Sequence, residues 1–384
     1  MKLLYLTHKC PYPPNKGERI RCFNILKHLS KQYEVHLVYP IFSHEDVGQA
    51  DNFKEYAKSI TTSHINTYLA KIKCIYGFFS RSPFTLHYFY SRNLKEIIKN
   101  QEFDIVIADC SSMAQYVIDV EKPKIVDFVD IDSDKWQLYA RNSRLSMSII
   151  YNIEYRRLKI FEKTINAQFD FCLVVSEDEK KLLQYGENVV VVPNGIDLEF
   201  FTPRGKQNSN TLIFTGAMNY FPNIDGVSYF HRDIWPLVKA HIPNVKFVVA
   251  GMYPPPKLRA LASDDTTITG YVPDVRDYLA QATVCVVPLR MAKGIQNKIL
   301  EAMAMGIPVV ATTAANTGIN ARDKHQILVA DSPDDFAKAV VTLLKDTQLR
   351  QTIADNARQF VQENFSWDKN LSKLDELIAQ LTKN

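Results

Sequence analysis

The sequence of 384 residues contains no run of eighteen apolar residues, so it predicts no membrane-spanning helix. Its apolar start, residues 1–8, is too short for a signal peptide and is better interpreted as a first β-strand, which favours a cytoplasmic protein. The chain also has no large excess of charge of either sign. With 46 basic and 42 acidic side chains the net charge is +4, which does not indicate a dedicated nucleic-acid-binding protein.

Cysteine is infrequent and is not arranged in pairs. The six cysteines form no C-x-x-C motif, and no histidine stands at zinc-ligand spacing from them, so we expect reduced, mostly buried thiols. The sequence also lacks G-x-S-x-G, G-x-x-x-x-G-K-[ST] and H-x-x-x-H, which argues against α/β-hydrolases, P-loop kinases and zinc hydrolases. The apolar fraction of 46% excludes a disordered chain, and the length favours two domains.

Short Val- and Ile-rich runs alternate with stretches of helical spacing along the chain. The runs are continuously apolar, as is typical of strands covered on both faces of a parallel sheet, and their alternation predicts a doubly wound α/β fold. The predicted strands are Leu3–Thr7, Val35–Tyr39, Ile105–Ala108, Ile125–Val129, Phe171–Val175, Val189–Val192, Thr211–Thr215, Val245–Ala250, Val284–Pro288, Val309–Ala311 and Ile327–Val329. The predicted helices include Arg19–Ser30, Ile224–Lys239, Asn297–Met305 and Pro333–Lys345.

A turn at residues 193–197, followed by the polar stretch 204–210, separates two such regions. We therefore predict a Rossmann-like N-terminal domain over 1–195 and a second Rossmann-like domain over 196–365, with a C-terminal helix over 366–384. Because open α/β sheets bind ligands at the carboxyl ends of their strands, we expect the ligand in a cleft between the two domains.

Residues 53–100 are unusually basic and aromatic. They contain eight lysines and arginines but only two acids, and eight tyrosines and phenylalanines lie between residues 68 and 90. Such a segment can seat on an anionic membrane surface. The alternative is a pair of helices whose aromatic side chains pack on the sheet while the lysines are solvated.

The most informative stretch is 286–311. A buried strand leads into a loop, and a helix begins near Gln296 or Asn297. The first turn of a helix presents unpaired N–H groups and a positive dipole end, which favour a phosphate, and Arg290 and Lys298 add a cation on either side of the loop.

Glu301 lies one turn further along this helix. A carboxylate there could accept two hydrogen bonds from a ribose diol. The alternative is an ordinary strand–loop–helix unit with surface charges.

Eight motifs in order along nearly the whole chain resemble the retaining glycosyltransferases of family GT4, which have the GT-B fold of two Rossmann-like domains facing across a cleft. The similarity is greatest to bacterial exopolysaccharide sugar transferases. The resemblance implies that the C-terminal helix packs back on the first domain. The motifs are residues 7–21, 126–136, 175–177, 192–197, 216–223, 270–275, 288–311 and 365–367.

The resemblance implies a donor site in the second domain. Arg290 and Lys298 match cationic positions that meet the donor diphosphate, and Glu301 matches the second acid of the family's E-x7-E pair, which holds the nucleotide ribose. Gly216 and Asn219, at the end of that domain's first strand, match residues that also line the donor site.

Three further loops are implied to contact the donor. Gly270 and Val272 match the loop against which the base lies, and Gly17 matches a glycine that lets the backbone approach the donor phosphate and the acceptor. The first acid of E-x7-E is replaced by Lys293, so we expect the backbone amides of residues 294–296 to hold the transferred sugar instead. This loop consists of Gly294, Ile295, Gln296 and Asn297.

Two residues of the first domain are candidates for the acceptor side. Where many relatives carry a histidine near the transferred sugar, this chain has Asp130, which we expect to position the sugar or acceptor. His8 ends the first strand, and an acceptor contact competes there with a satisfied or solvent-facing histidine. Asp130 and Asp132 also form a D-x-D, but the two-domain organisation argues against the metal-dependent GT-A fold, so no metal is expected.

The sequence thus predicts a retaining hexosyltransferase that uses a nucleotide diphosphate sugar, with uridine or guanosine as the nucleoside, and no cofactor. We expect a saccharide or lipid-linked saccharide acceptor, exopolysaccharide or other surface-glycan synthesis, and peripheral contact with the cytoplasmic face of the membrane. The alternatives are a sugar-nucleotide epimerase or hydrolase on the same fold and, because of Lys293, a catalytically idle nucleotide-binding subunit of a polysaccharide assembly complex.

Overall fold

A computed structural model describes residues 1–14, 17–43, 46–141, 143–183, 186–205, 210–292 and 294–382. The chain divides into two compact units, Met1–Pro193 with Asn370–Asn384, and Asn194–Lys369. Each unit has its own parallel sheet and its own apolar core.

The first unit contains a seven-stranded parallel sheet in the order β3-β2-β1-β4-β5-β6-β7. Its strands are β1 (Lys2–Leu6), β2 (Glu34–Ile41), β3 (Ser59–His64), β4 (Ile105–Asp109), β5 (Lys124–Asp127), β6 (Phe171–Val174) and β7 (Val189–Val191). The strand order reverses at β1, so β2 and β4 flank it, with Leu4 opposite both His36 and Val106.

The helices of the first unit follow its strands. They are α1 (Gly17–Leu29), α2 (Thr67–Tyr76), α3 (Phe84–Phe89), α4 (Arg92–Asn100), α5 (Cys110–Ala114), α6 (Asp132–Arg141), α7 (Leu145–Gln168) and α8 (Glu177–Leu183), with 3₁₀ turns at Gln49–Asn52, Lys54–Tyr56 and Gly77–Phe79. None of the helices in the described part of the chain is long and apolar enough to cross a bilayer.

The second unit contains a six-stranded parallel sheet in the order β10-β9-β8-β11-β12-β13. Its strands are β8 (Thr211–Thr215), β9 (Lys246–Ala250), β10 (Thr266–Gly270), β11 (Val284–Val287), β12 (Val309–Ala311) and β13 (Leu328–Val329). Its helices are α9 (Phe221–Tyr229), α10 (Trp235–His241), α11 (Pro256–Arg259), α12 (Val275–Leu279), α13 (Asn297–Ala304), α14 (Thr313–Asn316), α15 (Pro333–Lys345) and α16 (Thr347–Asn364), with a π-helical turn at Phe230–Ile234 between α9 and α10.

The last helix, α17 (Trp367–Thr382), begins in the second unit and continues into the first. Within the first unit its Leu374 and Ile378 are fully buried, and His28 Nε2 lies 2.8 Å from Asp375 Oδ2.

The predicted doubly wound α/β fold is confirmed, with two Rossmann-like sheets. The prediction missed β3 and β10, which are the edge strands of their sheets and are rich in threonine. All six cysteines are free, and Cys10, Cys22, Cys172 and Cys285 are buried.

Candidate active site

In the second unit, backbone hydrogen bonds join the loops that follow three neighbouring strands. The Gly216 N–H donates to the carbonyl of Ala250 at 3.0 Å, and the Gly251 N–H donates to the carbonyl of Gly270 at 3.2 Å. A Cβ atom on Gly251 would lie 1.7 Å from the Gly216 oxygen, so only glycine allows this approach. The structure thereby brings the predicted donor residues Gly216 and Gly270 together through Gly251, which the sequence analysis did not single out.

Lys298 is fixed beside the end of β8. Its ammonium Nζ donates to Asn223 Oδ1 at 2.9 Å and lies 5.2 Å from the centre of the Phe214 ring. Asn223 in turn donates from Nδ2 to the Ala217 carbonyl at 2.9 Å. Because Asn223 binds both the lysine and the loop after β8, it places the ammonium next to Gly216.

Lys298 and Glu301 form an electrostatic pair one turn apart on α13. Burial lowers the pKa of Lys298 to about 8, against the opposing effect of the Glu301 carboxylate. Burial also raises the pKa of Glu301 to about 7, and the Lys298 charge opposes that rise. Titratable groups shifted in this way are typical of functional sites, so both predicted residues have a physical signature of one.

Arg290 has a carboxylate partner. Its guanidinium donates to both oxygens of Asp225, at 3.0 and 2.5 Å, and lies 4.9 Å from the centre of the Tyr229 ring. The side chain is nevertheless 49% exposed, so it remains accessible to an anion. A diphosphate would share Arg290 with Asp225.

The loop before α13 is held by close backbone packing. Gly294 has a left-handed φ of 60°, and a Cβ atom on Gly318 would lie 2.3 Å from the Gly294 oxygen. The Gln296 side chain does not cap α13, and the buried Asn297 Oδ1 has no hydrogen-bond partner in the described part of the chain. An unpartnered buried acceptor at this point is compatible with a ligand that donates to it.

Three other predicted residues lie around this region. Ile295 is half-buried, Asn219 is exposed in the turn after β8, and Val272 is half-buried just after β10. Lys293, where the first acid of E-x7-E is replaced, lies outside the described residues.

In the first unit, His8 is held by Asp109 on a neighbouring strand. The His8 backbone N–H donates to Asp109 Oδ2 at 3.2 Å, and the ring Nδ1 bonds the same oxygen. Burial acts to raise the pKa of Asp109, but the His8 interactions outweigh it and lower that pKa on balance. Asp109 fixes the ring through Nδ1, which leaves Nε2 for another partner. The sequence analysis missed Asp109, although an acid ending a buried strand was a usable signal.

Asp130 follows a strained turn at the end of β5. Val129 has a φ of 61°, which is unfavourable for a β-branched residue, and such strain is concentrated at functional sites. The turn is fixed because the Val129 N–H donates to Asp127 Oδ1 at 3.3 Å, and Asp127 forms a fully buried ion pair with Arg21 at 2.6 Å.

Asp130 is an exposed residue, yet protein atoms surround its carboxyl group densely enough for desolvation to raise its pKa, against the Lys135 charge. Glu179, which the sequence analysis also missed, is buried nearby. Desolvation, together with the Asp130 charge, raises the pKa of Glu179 to about 8. The raised pKa values of Asp130 and Glu179 therefore favour a proton bound to this pair of acids, close to the turn.

In the described part of the chain, the D-x-D acids Asp130 and Asp132 do not belong to a group of three or more potential metal ligands. Asp132 accepts a hydrogen bond from Ser111 Oγ at 2.5 Å, and the group that could hold a metal is instead His8, Cys22 and Asp109, with donor atoms within 4.8 Å of one another. There the histidine already bonds the aspartate, and burial raises the pKa of the Cys22 thiol well above its usual value. These groups satisfy one another as a hydrogen-bonded cluster.

A pocket of about 230 Å³ lies at the start of α1, which begins at the predicted Gly17. Two ion pairs form its polar side, Lys9–Glu18 at 2.7 Å and Arg19–Asp46 at 2.9 Å. The His8 ring contacts Phe89 with ring centres 6.1 Å apart, so the pocket adjoins the His8–Asp109 pair. Its lining is Lys9, Glu18, Arg19, Phe42, Ser43, Asp46, Tyr88 and Phe89.

Comparisons with known proteins match both units. The family described as "Glycosyltransferase Family 4" matches residues 17–200, and the family described as "Glycosyl transferases group 1" matches residues 209–346. An uncharacterised 44.6 kDa protein from the cps region of Klebsiella pneumoniae is 24% identical over 396 residues, covering 97% of this chain and 98% of that protein.

Two further similarities concern proteins with named ligands or activities. The Escherichia coli UDP-Gal:alpha-D-GlcNAc-diphosphoundecaprenol alpha-1,3-galactosyltransferase is 22% identical over 270 residues, covering 64% of this chain and 67% of that protein. The crystal structure of Anabaena HepE in complex with UDP-glucose superposes with a TM-score of 0.68 at 14% identity, covering 99% of this chain and all of that one.

Two family matches cover consecutive parts of the chain, a relative aligns over nearly its full length, and the fold agrees with solved structures. The chain is therefore a glycosyltransferase with the GT-B fold, whose first half matches "Glycosyltransferase Family 4" and whose second half matches "Glycosyl transferases group 1".

Proposed function

We propose that the protein transfers a hexose-like sugar, with retention at the anomeric carbon, from a nucleotide diphosphate sugar to a hydroxyl of a saccharide acceptor. The observation that carries this proposal is the Lys298–Glu301 pair at the start of α13, fixed beside Gly216 by Asn223. The pair offers an ammonium for a diphosphate and a carboxylate for a ribose diol within one helical turn.

The proposed reaction breaks the bond between the anomeric carbon and the phosphate oxygen and forms one to the acceptor oxygen. The acceptor proton passes to the departing phosphate on the same face of the sugar, and the nucleoside diphosphate leaves. The developing negative charge is stabilised by Lys298, by Arg290 and by the first-turn amides of α13, which act as preorganised electrostatic groups. With these cations in place the step needs no metal ion.

On the acceptor side, we assign His8 and Asp130 to positioning the acceptor or the transferred sugar. Asp109 fixes the His8 ring, and the strained turn at Val129 fixes Asp130. The cps-region relative and the relative named for a diphosphoundecaprenol-linked substrate support a lipid-linked saccharide acceptor in exopolysaccharide or other surface-glycan synthesis.

The first test is thermal unfolding in the presence of nucleoside diphosphates. A ligand that binds only the folded state raises apparent stability by mass action, roughly 2.7 kcal/mol at a hundredfold excess over Kd. We expect either UDP or GDP to stabilise strongly, Lys298→Ala and Glu301→Ala to remove the effect, and the matched surface variant Lys338→Ala to retain it. An unchanged shift in both site variants would contradict the site.

The second test measures transfer to lipid-linked acceptors and the anomeric configuration of the product by NMR. Retention supports the proposed mechanism, and inversion contradicts it. Consumption of the donor without acceptor would indicate an epimerase or hydrolase. Diphosphate binding without transfer to any extract-derived acceptor would indicate an idle subunit.

A further inference from the structure

Helix α2 presents an apolar face to solvent. Only Ala70 is fully buried in this helix, and Cys74, one turn later, is partly buried with its thiol against the carbonyl of Phe84 at 3.5 Å. The opposite side is apolar rather than polar, with Tyr68 72% exposed and Tyr76 68% exposed. Soluble proteins rarely expose a contiguous apolar patch of this kind without a partner.

The sequence positions define this face geometrically. At about 100° per residue, Ala70 and Cys74 define the buried side of α2, and Ile72 lies about 180° away from their mean direction. Lys71 and Lys73 lie about 100° to either side of Ile72, so one lysine borders each edge of the exposed apolar face. The members of that face are Tyr68, Leu69, Ile72, Ile75 and Tyr76.

The 3₁₀ turn Gly77–Phe79 extends the same surface. Phe79 is 89% exposed, whereas the neighbouring Phe78 packs on Phe84 with ring centres 4.8 Å apart. The turn is not loosely held, because Arg157 of α7 donates to the Gly77 carbonyl at 2.6 Å and stacks over Phe84 at 5.0 Å. A fixed turn thus holds an aromatic ring out in solvent.

Glu154 of α7 strengthens this attachment. Its carboxylate accepts hydrogen bonds from the backbone N–H groups of Phe84 and Thr85, at 2.6 and 2.8 Å, and from the Thr85 hydroxyl at 2.6 Å. The exposed surface, composed of α2 and the turn Gly77–Phe79 and called here the α2 surface, is therefore mounted on the body of the first unit.

The stretch of sequence that forms the α2 surface carries charge of one sign. Residues 56–95 contain six lysines and arginines and no aspartate or glutamate, although the whole chain has a net charge of only +4. Lysines at the borders of an apolar face can extend to phosphate headgroups while their methylene stems stay on the apolar side. Each such cation near an anionic bilayer contributes attraction that salt weakens.

We propose that the α2 surface docks on a bilayer that contains anionic lipids. The apolar face and Phe79 enter the interface between headgroups and acyl chains. Lys71 and the exposed Arg81, two residues after the turn, contact lipid phosphates together with Lys73, whose ammonium also donates to the Tyr90 carbonyl at 3.2 Å. A protein partner would not require cations on both borders of the face, so charge complementarity favours the lipid surface. The proposal is independent of the transfer reaction, because vesicle binding is measured without donor or acceptor.

The test is co-sedimentation of the full chain with vesicles of phosphatidylcholine alone or mixed with phosphatidylglycerol, at low and high salt. We expect binding to the mixed vesicles at low salt and little binding to phosphatidylcholine. Lys71→Gln with Lys73→Gln should weaken binding on the order of thirtyfold, in keeping with the contribution of each cation near an anionic surface. Tyr76→Ser with Phe79→Ser should weaken it at both salt concentrations.

Matched controls lie on the second unit. Lys338→Gln with Lys345→Gln removes two exposed lysines, and Tyr253→Ser removes an exposed aromatic ring; both should bind as the unaltered chain does. Hydrogen exchange on the unaltered chain tests the proposal without any variant, because vesicles should slow exchange in Thr67–Phe79. Equal vesicle binding by all variants would overturn the proposal. So would a chain that self-associates and does not bind vesicles, if Tyr76→Ser with Phe79→Ser abolishes the self-association.

Discussion

At the scale of single residues, Lys298 and Glu301 are ionisable groups whose surroundings disfavour the charged form of both. Burial disfavours the charge of both groups, while each charge favours the other, so their pKa values lie near 8 and 7. The pair can therefore respond to a ligand that supplies the missing opposite charge. A diphosphate favours the protonated lysine, and a ribose diol favours the ionised glutamate.

This arrangement predicts a maximum in nucleoside diphosphate affinity between about pH 7 and pH 8. Above pH 8 Lys298 loses the proton that binds phosphate, and below pH 7 Glu301 gains a proton and accepts fewer hydrogen bonds, so affinity falls on both sides. Each limb approaches tenfold per pH unit when the free ligand does not itself titrate. Isothermal titration calorimetry from pH 5.5 to 9.5 measures the profile.

Two variants that each remove one titratable group separate the limbs. Lys298→Gln should remove the high-pH limb and Glu301→Gln the low-pH limb, while Lys338→Gln should leave both. A profile that is flat from pH 5.5 to 9.5 in the unaltered chain would refute the assignment of these two residues.

The sequence could predict Lys298 and Glu301 because both belong to one local strand–loop–helix motif. It could not predict their partners. Asn223 is 75 positions from Lys298, Asp225 is 65 positions from Arg290, and Asp109 is 101 positions from His8. Such contacts arise only when parallel strands place distant loops at the same edge of a sheet.

At the scale of elements, backbone contacts join the ends of β8, β9 and β10 to one another. The contact between Gly216 and Gly251 leaves no room for a side chain at position 251. The loops implied to bind phosphate and base are therefore positioned by backbone packing as much as by side chains.

Gly251→Ala should separate these loops. We expect a loss of roughly 3 kcal/mol in the free energy of unfolding, as for an overpacked site, and a weaker thermal shift with nucleoside diphosphate. The control Gly48→Ala meets nothing within 4 Å and changes only a left-handed backbone position in the first unit, so it should cost about 1 kcal/mol and leave the ligand shift intact. Urea unfolding and thermal shift measure both effects; a Gly251→Ala variant that binds and unfolds like the unaltered chain would exclude this role.

Strands and helices differ in how far the sequence predicts them. Helix α15 and strands β8 and β12 have the predicted bounds, because apolar periodicity and a Ser332 cap or a Val-rich run mark them locally. Strands β3 and β10 read S-I-T-T-S-H and T-T-I-T-G and carry polar side chains. An edge strand is paired on one side only and need not be apolar on both faces, so a criterion of continuous apolar runs misses it.

At the scale of the whole molecule, each unit contains a parallel sheet with its own core, and the strand order reverses at β1 and at β8. The sequence predicts a domain boundary between residues 195 and 196, in the 193–197 turn, and the compact units divide between Pro193 and Asn194. The chain crosses between the units a second time within α17, after Lys369. The first crossing is marked by a local turn, whereas the second depends on where a helix packs.

Each unit contains a buried thiol whose reactivity measures how often the sheet around it unfolds. Cys172 lies in β6 and Cys285 in β11, both are fully buried, and burial raises the pKa of each to about 12, so neither reacts with an alkylating reagent until its sheet unfolds. A nucleoside diphosphate bound at Lys298 should slow alkylation of Cys285 more than that of Cys172, measured peptide by peptide by mass spectrometry. No slowing at Cys285 would contradict a donor site built on the second unit. Each of the two sheets thus contains a natural cysteine whose irreversible alkylation measures the rate at which that sheet opens, and no label has to be added to the chain.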